Sequence, residues 1–122
     1  MNGPYIHDNR RYARFELLEC AMLYVANERE PIRVVIADIG LGGVQLRSKE
    51  AVPTDQPLVL HIGRDGQDPL EIKGKVLYCH PGEEPLYVTG FCFMPETHEE
   101  RIIVAEYVHS VFQQQFDALT GA

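Results

Sequence analysis

Cysteine, serine, cations and long apolar runs are all scarce in this sequence, and each scarcity removes a class of function. Cysteine occurs three times, at Cys20, Cys79 and Cys92. Three thiols cannot all pair, which argues against a disulfide framework and for a reducing, cytoplasmic setting. Serine occurs twice, at Ser48 and Ser110, neither in a nucleophile-elbow context. No Cys/His or paired-carboxylate motif stands out either, so the expectation is a protein that is not an enzyme and has no catalytic residue. No apolar run approaches the roughly 18 residues of a membrane span, and Met1–Arg14 lacks the apolar core of a signal peptide. Lys and Arg number 11 against 18 Asp and Glu, a net charge of −7. A field of that sign repels phosphate backbones and anionic lipid, so neither DNA, RNA nor a membrane is an expected partner.

What is present is an ordinary globular composition, 122 residues with 45% apolar and 24% charged side chains. A chain of this length supports one core and needs no metal or disulfide staple. Alternation predicts strands. Ile32, Val34 and Ile36 share one face, Val44–Ser48 alternates again, and Pro57–Ile62 reads as a further strand. Leu70, Ile72, Val76 and Tyr78 are set against Glu71, Lys73 and Lys75, one face for the core and one for water. His80–Pro85 is turn chemistry before the apolar run Leu86–Met94, so the two read as a hairpin. Beyond Pro95 the period changes. Thr97-His-Glu-Glu100 has the spacing of a capping box, and Ile103, Tyr107 and Val111 line up beside Val104, Val108, Phe112 and Phe116 at helical spacing. This stripe is expected to be core, with a C-terminal part able to pair with a second protomer. Phe15–Val25 is ambiguous; its Leu17, Leu18, Ala21, Met22 and Val25 favour a helix on local propensity.

Two motifs carry chemistry. Arg10-Arg11-Tyr12-Ala13-Arg14 is an R-x-x-x-R spacing in a polar leader, and residues 1–14 hold +2 of charge while the remainder holds −9. Guanidinium forks meet phosphate or a guanine edge bidentately and stack on rings. By itself the spacing is also what a solvated leader carries. Asp38-Ile39-Gly40-Leu41-Gly42-Gly43 sits between two predicted strands. Its glycines allow a bare backbone that a ligand can approach, and its carboxylate can accept paired N–H groups. Alone, it also reads as a structural turn with Asp38 bonding its own backbone.

Together, the R-x-x-x-R leader, the "DIGLGG" turn and the late block "YVTGFCFMPETHEERIIVAEYV" resemble the PilZ domain family from about Asn9 to Phe116. The resemblance implies a mainly β fold, a six-stranded antiparallel barrel with a C-terminal helix, and it makes Phe15–Val25 the first strand. It divides the chain into a leader (1–14), a barrel-plus-helix unit (15–116) and a tail (117–122). It also implies a receptor for the second messenger cyclic di-GMP that signals to an unidentified protein partner, as monomer or homodimer. Carried over by position, Arg10 and Arg14, with Arg11 beside them, form a clamp, while Asp38, Gly40 and Gly43 make the barrel-side contact. One residue departs from the family's D-x-S-x-x-G turn: Gly40 stands where serine is usual. Family members lacking these motifs act as nucleotide-independent adaptors, which is the alternative reading.

Neither a metal nor a cofactor is expected. The five histidines are scattered, and the Cys79-His80 pair with Cys92 is the one cluster to weigh. With a hairpin turning about residues 82–83, Cys79 falls opposite Leu86 and roughly 20 Å from Cys92. Tyr5, Tyr12 and Tyr107 read as packing or surface residues, with Tyr12 alone placed to touch a purine under the leader.

Overall fold

The computed structural model describes residues 15–26, 28 and 30–121. Six strands, β1 (Phe15–Val25), β2 (Ile32–Ile39), β3 (Gly43–Ser48), β4 (Leu58–Arg64), β5 (Gln67–Pro81) and β6 (Tyr87–Phe93), precede one helix, α1 (His98–Thr120). The strands close a barrel in the order β1-β2-β3-β6-β5-β4, every pair antiparallel. Alternate residues point inward. Leu23, Ile36, Leu46, Leu60, Ile72 and Phe91 are fully buried in one core, as the sequence periods predict.

The helix-prone segment Phe15–Val25 is a strand. Its Ala21, Leu23 and Val25 are buried while Leu18 and Cys20 are exposed, a period of two. Pairing decides this outcome: β1 is bonded to β2 along one edge and, over Met22–Val25, to β4 on the other, so its ladder groups find partners that a helix could not offer the neighbouring strands. A helix there would leave two barrel edges open.

Three local expectations are corrected. A bulge in β5 between Val76 and Tyr78 inserts a residue and flips the phase, so Tyr78 faces outward at 40% exposure and Cys79 turns partly inward. The β5–β6 hairpin turns later than residues 82–83. Pro81 still pairs with Tyr87, and the loop is closed by Gly82 N–H to the Leu86 carbonyl and Leu86 N–H to the Glu83 carbonyl, both 2.9 Å. Pro85, which has no N–H for the ladder, sits inside this longer loop. Cys79 therefore lies opposite Thr89 rather than Leu86, and Cys92 opposite Lys75.

The third correction concerns α1, which continues to Thr120, so residues 117–120 are helix rather than tail. Gly121, in the left-handed region at φ 74°, ends it. Tyr107, Val108 and Val111 are buried against the barrel, but Phe116, expected in the core, is 61% exposed because the helix has run past the barrel there.

The capping box is present at the start of α1. Thr97 Oγ1 accepts from the Glu100 N–H at 3.1 Å, and Glu100 Oε1 accepts from the N–H groups of Thr97 and Glu96. Lys73 Nζ on β5 bridges Glu96 at 2.8 Å and Glu100 at 2.9 Å, clasping the helix start to the barrel. The Glu96 N–H and then Lys73 hold the Glu100 carboxyl below the usual carboxylate range. Thr97→Ala removes the cap and is expected to lower unfolding free energy by about 1 kcal/mol, measured by urea denaturation followed at 222 nm.

Candidate functional site

The β2–β3 turn is built by its glycines. Gly40 is buried, and its N–H donates to the Gly43 carbonyl at 2.9 Å. The Phe93 N–H donates to the Gly42 carbonyl at 3.0 Å, tying the turn to β6. Gly43 pairs with Cys92, and a Cβ at position 43 would overlap the Phe91 carbonyl oxygen. Only glycine lets β3 and β6 approach this closely.

Register carries this turn onto the outer wall of the barrel. Asp38 lies opposite Gln45, Gln45 opposite Gly90, and Gly90 opposite Tyr78, one row across β2, β3, β6 and β5. The next row holds Val35, Arg47, Val88 and His80. The Tyr78 ring lies over Gly90, where a Cβ would collide with it. It stacks on His80 with centroids 5.3 Å apart and planes 14° from parallel, and Gln45 Nε2 reaches its hydroxyl at 3.4 Å. This wall thus offers a carboxylate, a bare backbone strip, a partly open aromatic face and the exposed guanidinium of Arg47. Such a set suits a planar ligand that carries both N–H donors and negative charge.

The arginines Arg10, Arg11 and Arg14 lie outside the described residues. The strand that follows them does not: Phe15 pairs with Ile39 and Glu16 with Asp38. The chain therefore enters the barrel beside the β2–β3 turn. β1 is irregular between Glu16 and Glu19, and Glu19 accepts a 2.9 Å hydrogen bond from the Tyr107 hydroxyl of α1. Burial, then the Glu19 charge, pushes the Tyr107 hydroxyl well above the ordinary tyrosine range, so it stays a donor.

Of the residues singled out in the sequence, Asp38, Gly40 and Gly43 come together on this turn. Gln45, Arg47, Gly90 and Tyr78 were missed. Alternation assigned Tyr78 to the core, and nothing local marks Gly90 as its neighbour. The one available signal was Leu77, an apolar residue on the predicted wet face just where the bulge falls. Among the described residues no group of three or more His, Cys, Asp or Glu is arranged to hold a metal, and no helix is long and apolar enough to cross a membrane.

A family model described as PilZ domain matches residues 8–110. No curated protein matches the sequence. Several solved structures share the fold. The PilZ domain of YcgR from Escherichia coli, solved with c-di-GMP, superposes with a TM-score of 0.67 over 94% of this chain and 100% of its own, at 11% identity. The Bacillus subtilis inhibitor of motility MotI/DgrA gives 0.63 over 90% of this chain and 53% of its own, at 13% identity. PlzA of Borreliella burgdorferi, in complex with c-di-GMP, gives 0.55 over 84% and 42%, at 14% identity. This chain thus spans about half the length of the last two. Likeness at these identities carries the fold alone.

Proposed function

The chain belongs to the PilZ domain family, and from that premise we propose that it is a non-enzymatic, cytoplasmic bacterial receptor for cyclic di-GMP. One observation supports the reading: the β1–β2 register sets Phe15 and Glu16, the residues that follow the arginine leader in sequence, opposite Ile39 and Asp38 at the β2–β3 turn. Arg10 and Arg14 clamp phosphate and guanine from above, with Arg11 adding charge. Asp38 accepts from the paired N–H groups of a guanine, and Gly43 lets the base approach the backbone. Tyr78 supplies a ring face on the same wall, and Arg47 a second cation. Ordering the leader over the barrel costs conformational entropy that charge-assisted bonds offset, and the covered wall is then the surface a partner protein reads.

Calorimetric titration with cyclic di-GMP, with GTP as control, tests this. Saturable binding at low micromolar concentration or tighter, absent with GTP, is expected. No heat and no thermal shift at several hundred micromolar would favour a nucleotide-independent adaptor. Gly40 is the observation on that second side, since it removes a hydroxyl from the turn and its own N–H is already given to Gly43. Gly40→Ser is expected to tighten binding about two- to twelvefold, the worth of one neutral hydrogen bond. A weakening of that size in the same titration would show that the bare backbone matters more.

A further inference from the structure

The barrel-facing stripe of α1 is not its only apolar one. Ile102, Ala105, His109, Phe112, Phe116 and Leu119 follow one another at alternating steps of three and four, the spacing of a coiled-coil seam. Its exposed members lie beside the buried Tyr107, Val108 and Val111, and Phe112, at its centre, also packs against the core. Ile102 is 43% exposed, Phe116 61% and Leu119 75%, while Ala105 and His109 face solvent and Phe112 is half-buried. The seam runs about 25 Å along the helix, too long and too regular for scattered surface residues.

We propose that this seam pairs two copies of the chain through antiparallel α1 helices. The occupant is a second copy because the seam complements itself. In the antiparallel register each position meets a different one across a two-fold axis: Ile102 with Leu119 of the other copy, Ala105 with Phe116, and His109 with Phe112. The small residue then faces a large exposed one. Beside Ala105 the structure has a groove of about 320 Å³, walled by Leu41 of the β2–β3 turn, Val108, His109 and Phe112. The missing side-chain volume at Ala105 opens this groove where the register delivers the Phe116 ring of the other copy. The projecting end of each helix thereby lies against the barrel-packed half of its mate, so both projecting ends are covered at once, an isologous contact. At the end where the other helix terminates, Arg101 flanks the seam in a turn that also holds Glu99 and Glu100, the latter already paired with Lys73. The pairing does not depend on nucleotide binding, although Leu41 brings it to the same turn.

Sedimentation equilibrium of the full chain is expected to give a mass near twice 13.8 kDa at tens of micromolar. Phe116→Glu should return it to the monomer mass with an unchanged circular dichroism spectrum, since the side chain is largely exposed. Register is tested by cross-linking in a Cys20→Ser background. Chains carrying Ala105→Cys and chains carrying Phe116→Cys are expected to form a disulfide when mixed and not when kept apart. A monomer at every concentration, a dimer indifferent to Phe116→Glu, or cross-linking by Phe116→Cys alone would overturn the proposal.

Discussion

Gly43→Ala is expected to lower the stability of the barrel by about 3 kcal/mol or more, while Gly42→Ala, one residue earlier, changes it by no more than about 0.5 kcal/mol. The contrast follows from what each added methyl group meets. At position 43 it meets the Phe91 carbonyl oxygen and the Cys92 Cα, both backbone, so no side-chain rotation relieves the overlap. The β3–β6 ladder has to separate, and with it the closure of the barrel. At position 42 there is nothing within 4 Å. Small domains hold only about 5–15 kcal/mol in total, so a loss on this scale is a large fraction of it. Urea denaturation of both variants provides the comparison. Equal midpoints would mean that β3 and β6 are not this close in solution.

Arg10→Ala and Arg14→Ala are each expected to weaken cyclic di-GMP binding by roughly 10- to 150-fold and to leave the fold intact. Hydrogen bonds to a charged group are worth about 1.5–3 kcal/mol, which gives that range of affinity. Both residues precede β1 in sequence, and neither belongs to the strand ladders or the core cluster described above. Lysine at either position should recover little, because an ammonium carries charge without the planar fork that meets phosphate or guanine bidentately. Raising salt should weaken the wild-type interaction and weaken the double variant less, since the screened charges are the ones removed. Calorimetry with matched circular dichroism spectra decides the matter. Unchanged affinity in both single variants would remove the clamp and leave the Asp38–Tyr78 wall to account for any binding.

The two kinds of prediction draw on different depths of information. Arg10 and Arg14 are visible as a spacing and need no coordinates to be proposed. Gly43 is also visible, as the last glycine of "DIGLGG", but the reason for it is not. The sequence suggests a bare backbone for a ligand, whereas the structure adds a close approach of β6 that any Cβ would block. The same residue thus answers to the fold as well as to the proposed site.

By itself the sequence determined what depends on near neighbours along the chain. The alternation of β2 to β4, the Thr97–Glu100 capping box and the position of the glycine turn are all interactions spanning a few residues, so their patterns are complete in a short window. Tertiary structure decided the rest. Phe15–Val25 carries helical propensity and becomes a strand because two distant strands, β2 and β4, each require its edge hydrogen bonds. Tyr78 leaves the core because β6 lies one residue out of step with β5, and it becomes a partner of Asp38 only through Gln45 and Gly90. These outcomes rest on pairings between residues of different strands, outside the window in which a local period is read. A local period reports which face of a strand is apolar, but closure, bulge and register are set by the neighbour, and the neighbour exists only once the barrel has closed.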